Sequence, residues 1–344
     1  MSGAVEVFLD ETPGETRGAV MRDGRYTHLL IQRETDLPQH RLGARSVGRV
    51  TEINPGLRGA FVDLGAGPPG FLPFPRNDRL TQGERLEAIV LAEPRAGKGP
   101  VLRRLGPGEG PPRLLTPASS VAEQLRAIAG GEDLITGLVA IDAVTEAEEE
   151  ALAARHVFAP QGIDLAIERT RALVAVDIDY APVAGRDPKQ ARAAANREGM
   201  KQAARLIGLR RWGGLIVVDL VGDGQDAAAG DKAARTAFAQ EPQAVFSPIS
   251  RFGLLQMSLP WRLTPIEEIL FEVGRRPSVQ TEVLALARRL RRRLLSETRS
   301  PRVTVRCAPE EAAVLAPLAA RLGPRAAVRA DAGLARGCGL LEES

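Results

Sequence analysis

The chain has 344 residues, with 46 Lys+Arg against 43 Asp+Glu for a formal net charge of +3, and 44% of it is hydrophobic. That is enough apolar material for cores and excludes wholesale disorder. No stretch approaches the ~20 uninterrupted apolar residues of a membrane helix, and two cysteines, Cys307 and Cys338, make no disulfide framework. The acidic N-terminus, without a basic-then-apolar run, points to a cytoplasmic protein. The length suggests two or three domains of roughly 100–200 residues each.

Residues 4–9 and 18–32 alternate apolar and polar positions around Arg22-Asp23-Gly24, which predicts strands and a hairpin. Short β runs over 44–104, separated by Asn54-Pro55-Gly56 and by Gly65 to Gly70, predict a small β-barrel. Residues 105–118, dense in Gly and Pro, read as a linker. Beyond it the pattern alternates: a helix at 119–129, strands near 135–141, 163–168 and 172–179, a helix at 188–208 and a strand at 214–221. That alternation argues for an α/β domain. A basic helix at 278–296 then precedes a β–α–β pattern.

Only four basic residues are Lys, so 42 are Arg. A GC-rich coding sequence explains such an excess; so does phosphate recognition, where the planar guanidinium binds bidentately. Charge is also segregated. Residues 119–170 carry net −7, and residues 275–306 carry net +8. Segregation behind a balanced total is expected of a nucleic-acid binder, while the run Arg288-Arg289-Leu290-Arg291-Arg292-Arg293 also reads as a solvated helix face.

The strongest chemical signal is a pair of apolar strands that each end in Asp: Leu173-Val174-Ala175-Val176-Asp177-Ile178-Asp179 and Gly213-Gly214-Leu215-Ile216-Val217-Val218-Asp219-Leu220. One predicted helix separates them. If the strands are parallel, their C-terminal ends share one sheet edge, where sites in open α/β sheets gather. Asp177 and Asp219 could then hold a hard divalent cation such as Mg²⁺ between them, and Asp179 projects to the same side as Asp177. Alternatively each Asp caps the following turn. Asp223 and Asp226 read as surface residues.

In the barrel, Phe61 and Phe71 are two of nine phenylalanines, with Arg49, Arg58 and Arg76 nearby. Aromatics within a basic groove stack single-stranded bases. A Phe in a small barrel is, however, more often core than platform.

Together these segments resemble the ribonuclease E/G family, in the correct order along the chain. Glu15 to Val20 resembles its N-terminal segment. Gly48-Arg49-Val50 through Gly59 to Gly65, with Gly70-Phe71-Leu72-Pro73, resembles its embedded RNA-binding module. The two Asp-terminated strands resemble its metal-binding runs, with Asn196 on the intervening helix, and Ile249 to Ser258 resembles another catalytic-domain signature. Val328-Arg329-Ala330-Asp331 fits its small C-terminal domain.

The fold implied is α/β (α+β multidomain): an RNase H-like/DNase I-like catalytic core, an embedded OB-fold (S-one-type) RNA-binding barrel and a small C-terminal α/β domain. The implied division is 1–36 N-terminal strands, 37–104 OB-fold module, 105–170 linker and shortened acidic region, 171–265 metal-dependent catalytic domain, and 266–344 basic helix and small domain. The implied activity is a single-strand-specific, Mg²⁺-dependent endoribonuclease of RNA processing or decay that leaves 5′-phosphate ends, with Mn²⁺ as a substitute. The alternative is a non-catalytic RNA-binding protein of the same descent. Asp177 and Asp219 would be catalytic and metal ligands, Asp179 a further ligand candidate, and Phe61, Phe71, Arg49, Arg58, Arg251 and Arg262 would bind RNA.

The chain departs from the family at several places. The family usually has Asn where this chain has Asp179. Residues 105–160 lack the run that senses a 5′-monophosphate, so no 5′-end sensing is expected. Residues 259–280 lack the Cys-x-x-Cys zinc link, so no zinc is expected, which favours a monomer or homodimer over a tetramer. The sequence after the Met257-Ser258 pair is altered to Leu259-Pro260-Trp261-Arg262.

Overall fold

In a computed structural model, which describes residues 4–74, 80–181, 187–222, 227–272 and 274–343, the alternating N-terminal pattern forms three antiparallel strands. These are β1 (Val5–Thr12), β2 (Glu15–Arg22) and β3 (Arg25–Arg33). Asp23 and Gly24 both take positive φ, 51° and 71°, the backbone that a two-residue hairpin turn requires.

Five strands follow: β4 (Arg45–Asn54), β5 (Gly59–Asp63), β6 (Gly70–Pro73), β7 (Arg85–Ala92) and β8 (Val101–Pro107). Their hydrogen bonds run β4–β5–β6–β8–β7 and back to β4, a closed ring in which only the β6–β8 pairing is parallel. Alternate residues fill its interior, among them Val50, Val62, Leu72, Leu86, Val90 and Leu102. Half of the expected linker at 105–118 is strand. β8 runs to Pro107, and β9 (Arg113–Thr116) pairs with the part of β4 that β5 leaves uncovered. An unpaired strand edge is a standing demand for a partner, and the chain supplies one.

Helix α1 (Val121–Ala129) starts in a capping box of Ser120 and Glu123 and ends at left-handed Gly130. Its Val121, Leu125 and Ala129 pack with Val7, Leu9, Val20 and Leu30. The strand expected near 135–141 is reduced to β10 (Leu134–Ile135), and residues from 138 onward form α2 (Leu138–Leu152). Buried Ala140, Ile141, Val144, Ala147 and Ala151 recur at helical spacing, and that period overrides the short apolar run.

The next sheet contains β11 (Arg155–Phe158), β12 (Ile163–Arg169), β13 (Val174–Tyr180), β14 (Gly214–Asp219), β15 (Val245–Phe246) and β16 (Leu254–Leu259), in the order β11-β12-β13-β14-β16-β15. Its helices are α3 (Pro188–Leu209) and α4 (Ala227–Ala237). Only β13 and β14 are parallel, joined by the crossover helix α3. Because β12 pairs with β13 over its whole length, this sheet begins upstream of the boundary expected at 171.

The chain closes with α5 (Ile266–Leu270), α6 (Val279–Ser296), β17 (Val303–Cys307), α7 (Pro309–Ala320), β18 (Ala326–Ala330) and β19 (Leu340–Glu343). The last three strands form a sheet in the order β18-β17-β19 against which α6 and α7 pack. The molecule divides into two compact units, Met1–Glu148 with Thr264–Ser344, and Glu149–Leu263. Residues of the expected first and last domains thus share one unit. Among the described residues, no helix is long and apolar enough to cross a membrane. The described part is a mixed α/β structure with several sheets and seven helices.

The basic run on α6 is partly a solvated face, with Arg289, Arg292 and Arg293 exposed, but its arginines are engaged within the protein. Arg288 is buried, and it donates to Asp10 at 2.8 Å and to Glu15 at 2.7 Å. Arg291 also pairs with Asp10, Arg292 with Asp142 at 2.5 Å, and Arg293 with Glu343, while Arg289 donates to the Gly339 carbonyl. Arg17 and Arg33 complete the shell around Glu15, and Arg17 reaches Glu148 on α2. The acidic and basic segments therefore neutralise each other in part, through Asp142 and Arg292 directly.

Burial pushes the Glu15 carboxyl up, but Arg17, Arg288 and Arg33 outweigh it and hold it at about 2, below its ordinary 4.5. A carboxyl depressed on folding contributes stability that is present above its unfolded pKa and lost as pH falls toward the folded one. Glu15→Ala leaves three buried guanidinium groups short of a partner, and should cost about 3–5 kcal/mol near neutral pH. Denaturant melts across pH should show that difference shrinking between pH 4.5 and about 2.

Candidate functional site

Alternation along β13 sends Val174, Val176 and Ile178 inward and leaves Ala175, Asp177 and Asp179 exposed. On β14, Ile216 and Val218 point inward and Asp219 is exposed. The parallel register sets Asp177 directly beside Asp219. On the other side of β13, Asp164 of β12 faces Asp179, and Ala166 faces Asp177. Four carboxylates thus lie on one face of adjacent strands.

Helix α3 supports this arrangement from the buried side. A side chain at Gly199 would meet Ile178 at 2.5 Å, so Gly is required where the helix crosses β13 between the two aspartates. Three residues earlier, buried Asn196 accepts from the Val221 N–H at 2.8 Å and donates to the Val221 carbonyl at 3.0 Å. This two-point grip fixes the backbone two residues beyond Asp219. The neighbouring carboxylates are partly engaged: Asp179 accepts from the Tyr180 N–H at 2.7 Å, and Asp164 accepts from the Arg155 Nε at 2.8 Å. That hydrogen bond holds the Asp164 carboxyl below the usual range.

Asp177 and Asp219 are different. Among the described residues, neither carboxylate accepts a hydrogen bond or meets a cation, so no turn-capping bond is seen for either. Partial burial raises the Asp177 carboxyl, and the charges of Asp219, Asp179 and Asp164 raise it further. Like charges this close relax on protonation or on gaining a cation. No cluster of three or more His, Cys, Asp and Glu side chains suited to a metal occurs among the described residues. A divalent ion here would rest on two carboxylates and take its remaining ligands from water and phosphate, the habit of Mg²⁺. The donor set fits such an ion.

The other residues singled out in the sequence fall in three places. Phe61 and Phe71 face each other across β5 and β6, half-buried on the outside of the ring, with ring centroids 5.7 Å apart at 61°. The interior belongs to Ala60, Val62 and Leu72, so the expectation that a barrel Phe is core fails for this pair. Gly59 makes room for the Phe71 ring, which a side chain there would meet at 2.2 Å. Arg49 is exposed on β4, and exposed Arg58 sits at φ 49° in the β4–β5 turn.

Arg251 lies in the turn before β16, whose first residue, Leu254, pairs with Asp219. Arg262 follows the opposite end of β16, where Leu259 pairs with Gly214, and it is bound to Glu241 at 2.9 Å. Arg76, Asp223 and Asp226 lie outside the described residues. Sequence reasoning passed over Asp164, although the alternation Ile163 to Glu168 puts it on the same face as Ala166. It named Asn196 without seeing its grip on Val221.

Residues 120–260 match the ribonuclease E/G family. Ribonuclease E of Escherichia coli (strain K12) is 36% identical over 124 residues, 35% of this chain and 12% of that protein. Ribonuclease G of Haemophilus influenzae is 38% identical over 69 residues, 20% of this chain and 14% of the relative. Ribonuclease E of the same organism is 35% identical over 124 residues, covering 35% and 13%. The matches span no more than 14% of these relatives' lengths.

In the cation-free protein the Asp177 carboxyl should titrate above 3.8, followed by carbon-detected NMR. Asp219→Asn should lower that midpoint while leaving the part of the rise due to burial. Cation affinity should accordingly weaken as pH falls through the Asp177 titration. An Asp177 midpoint unmoved by Asp219→Asn would mean that the two carboxylates do not sense each other.

Proposed function

We propose, from the match of residues 120–260 to the ribonuclease E/G family, that the chain is a divalent-cation-dependent endoribonuclease of that family. It cuts single-stranded RNA in RNA processing or decay and leaves 5′-phosphate ends. The observation that carries this reading is the in-register pair Asp177 and Asp219, exposed and without a protein partner among the described residues. A cation held there, Mg²⁺ or Mn²⁺, supplies Lewis acidity and neutralises charge on a phosphodiester.

Asp177 and Asp219 hold the cation, and Asp179, next on the same face, adds negative charge beside it. Asn196 keeps the strand end that carries Asp219 in place through Val221. Arg155 is largely neutralised by Asp164 and contributes little free positive charge. On this reading the closed five-stranded ring is the family's OB-type RNA-binding module, and the six-stranded sheet is part of its DNase I-like core. The outward Phe61 and Phe71 then stack bases, with Arg49 and Arg58 near phosphates. The reading assigns no role to zinc, because residues 259–280 carry no Cys-x-x-Cys.

A protein that merely bound RNA would gain nothing from unneutralised carboxylates facing a polyanion, so the site disfavours the non-catalytic alternative. The two readings separate in one assay with a 5′-labelled single-stranded RNA. The wild type should cleave with Mg²⁺ or Mn²⁺ and stop with chelator, and Asp177→Asn and Asp219→Asn should each lower kcat by at least about a hundredfold, on the scale of lost electrostatic stabilisation. Binding without cleavage under every divalent cation would favour the alternative. Equal cleavage by wild type and both variants would remove these residues from the chemistry.

A further inference from the structure

Phe252 is the only exposed aromatic among the described residues, in a chain with nine Phe, two Trp and two Tyr. At 68% exposure it is a large apolar ring offered to water. The turn that carries it is tightly built. Ser250 Oγ accepts from the Phe252 and Leu254 N–H groups at 3.3 and 3.2 Å, and the Ser250 and Gly253 N–H groups donate to the Leu254 and Ser250 carbonyls at 2.9 and 3.0 Å. Gly253 takes φ 81°, which lets the chain turn sharply into β16. The exposed ring therefore stands on a fixed backbone. The Arg251 guanidinium lies over it, 4.8 Å from the ring centroid.

The register places this turn beside the carboxylates. Leu254, two residues after Phe252, pairs with Asp219. Two residues of chain span at most about 7 Å, and less in a turn, while neighbouring strands lie about 5 Å apart. The ring thus stands just past the end of β14, at the edge where Asp219 is exposed.

We propose that Phe252, backed by Arg251, is a base-stacking platform that holds the nucleotide next to the scissile phosphate; this rests on the nuclease reading of Asp177 and Asp219. The Arg251 guanidinium covers one side of the ring and leaves the other for a base. Its positive charge, with that of Arg192 beside Gly222, attracts the polyanion at an edge that also carries Asp219. Stacking on an aromatic is indifferent to base identity, so this platform positions the strand without imposing a strong sequence preference.

The test is a scan of one short single-stranded RNA in which successive positions are made abasic, with the full chain as wild type, Phe252→Ala, Phe252→Leu and Phe252→Trp. Cleavage in Mg²⁺ and binding by fluorescence anisotropy without cation are both read. In the wild type, one position beside the cut should show about a tenfold penalty when its base is missing. Phe252→Ala and Phe252→Leu should lose about as much on the intact RNA and show no further penalty at that position. Phe252→Trp should retain the wild-type profile.

If Phe252→Ala keeps wild-type affinity and the same abasic profile, or if Phe252→Leu behaves as wild type, the platform assignment is overturned. The anisotropy scan keeps the two proposals apart. A Phe252-dependent abasic penalty in a protein that cuts nothing supports the platform and contradicts the nuclease. Cation-dependent cleavage with no such penalty does the reverse. Matching circular dichroism and melting of the variants exclude misfolding.

Discussion

Parallel pairing of β13 with β14 in a single register is the constraint on which the site depends. It brings together two carboxylates from residues far apart in sequence, and it leaves them side by side on the open face of a sheet. Parallel strands need a crossover, and α3 supplies it while also tightening the arrangement. Gly199 lets α3 approach Ile178, between Asp177 and Asp179, and Asn196 clamps Val221 beyond Asp219. The helix that joins the strands is thus also the brace for their acidic ends.

Several buried acids of the fold are neutralised by arginine. Asp10 and Glu15 are buried and ringed by Arg17, Arg33, Arg288 and Arg291. Glu93 is buried against Arg41, and Asp142 is held by Arg292. Asp177 and Asp219 differ from these buried acids: they lie side by side in register, among further carboxylates and with no cation against them among the described residues. The near-neutral total of the chain thus conceals acids that bind the fold together, buried among arginines. The same accounting changes the meaning of the arginine-rich helix, whose guanidinium groups are largely engaged by the protein's own carboxylates and carbonyls.

The elements that position the site were the most legible in the sequence. Long apolar strands ending in Asp, separated by one helix, suggest a crossover but leave parallel pairing as a condition, which the register of β13 with β14 meets. The failures have physical causes. The run Leu134 to Ile141 is short and apolar, so its period cannot separate strand from helix until the alanines beyond it are counted. β9 hides among Gly and Pro residues because an edge-filling strand needs backbone hydrogen bonds more than an apolar pattern. The partners of Arg288 could not be read locally, since Asp10 is 278 residues away. Phe61 and Phe71 were identified as residues, but only the barrel register reveals that they face outward.

The central claim is that Asp177 and Asp219 together form a divalent-cation site, and thermal melting with and without Mn²⁺ tests it without reference to cleavage. A ligand that binds only the folded protein stabilises it by RT ln(1 + [L]/Kd), about 2.7 kcal/mol at a hundredfold excess over Kd. The wild type should melt higher as Mn²⁺ is raised. Asp177→Asn and Asp219→Asn should melt above the cation-free wild type, because the repulsion is relieved, and should lose the Mn²⁺ response. An equal Mn²⁺-induced rise in wild type and both variants, or no rise in the wild type, would contradict the account.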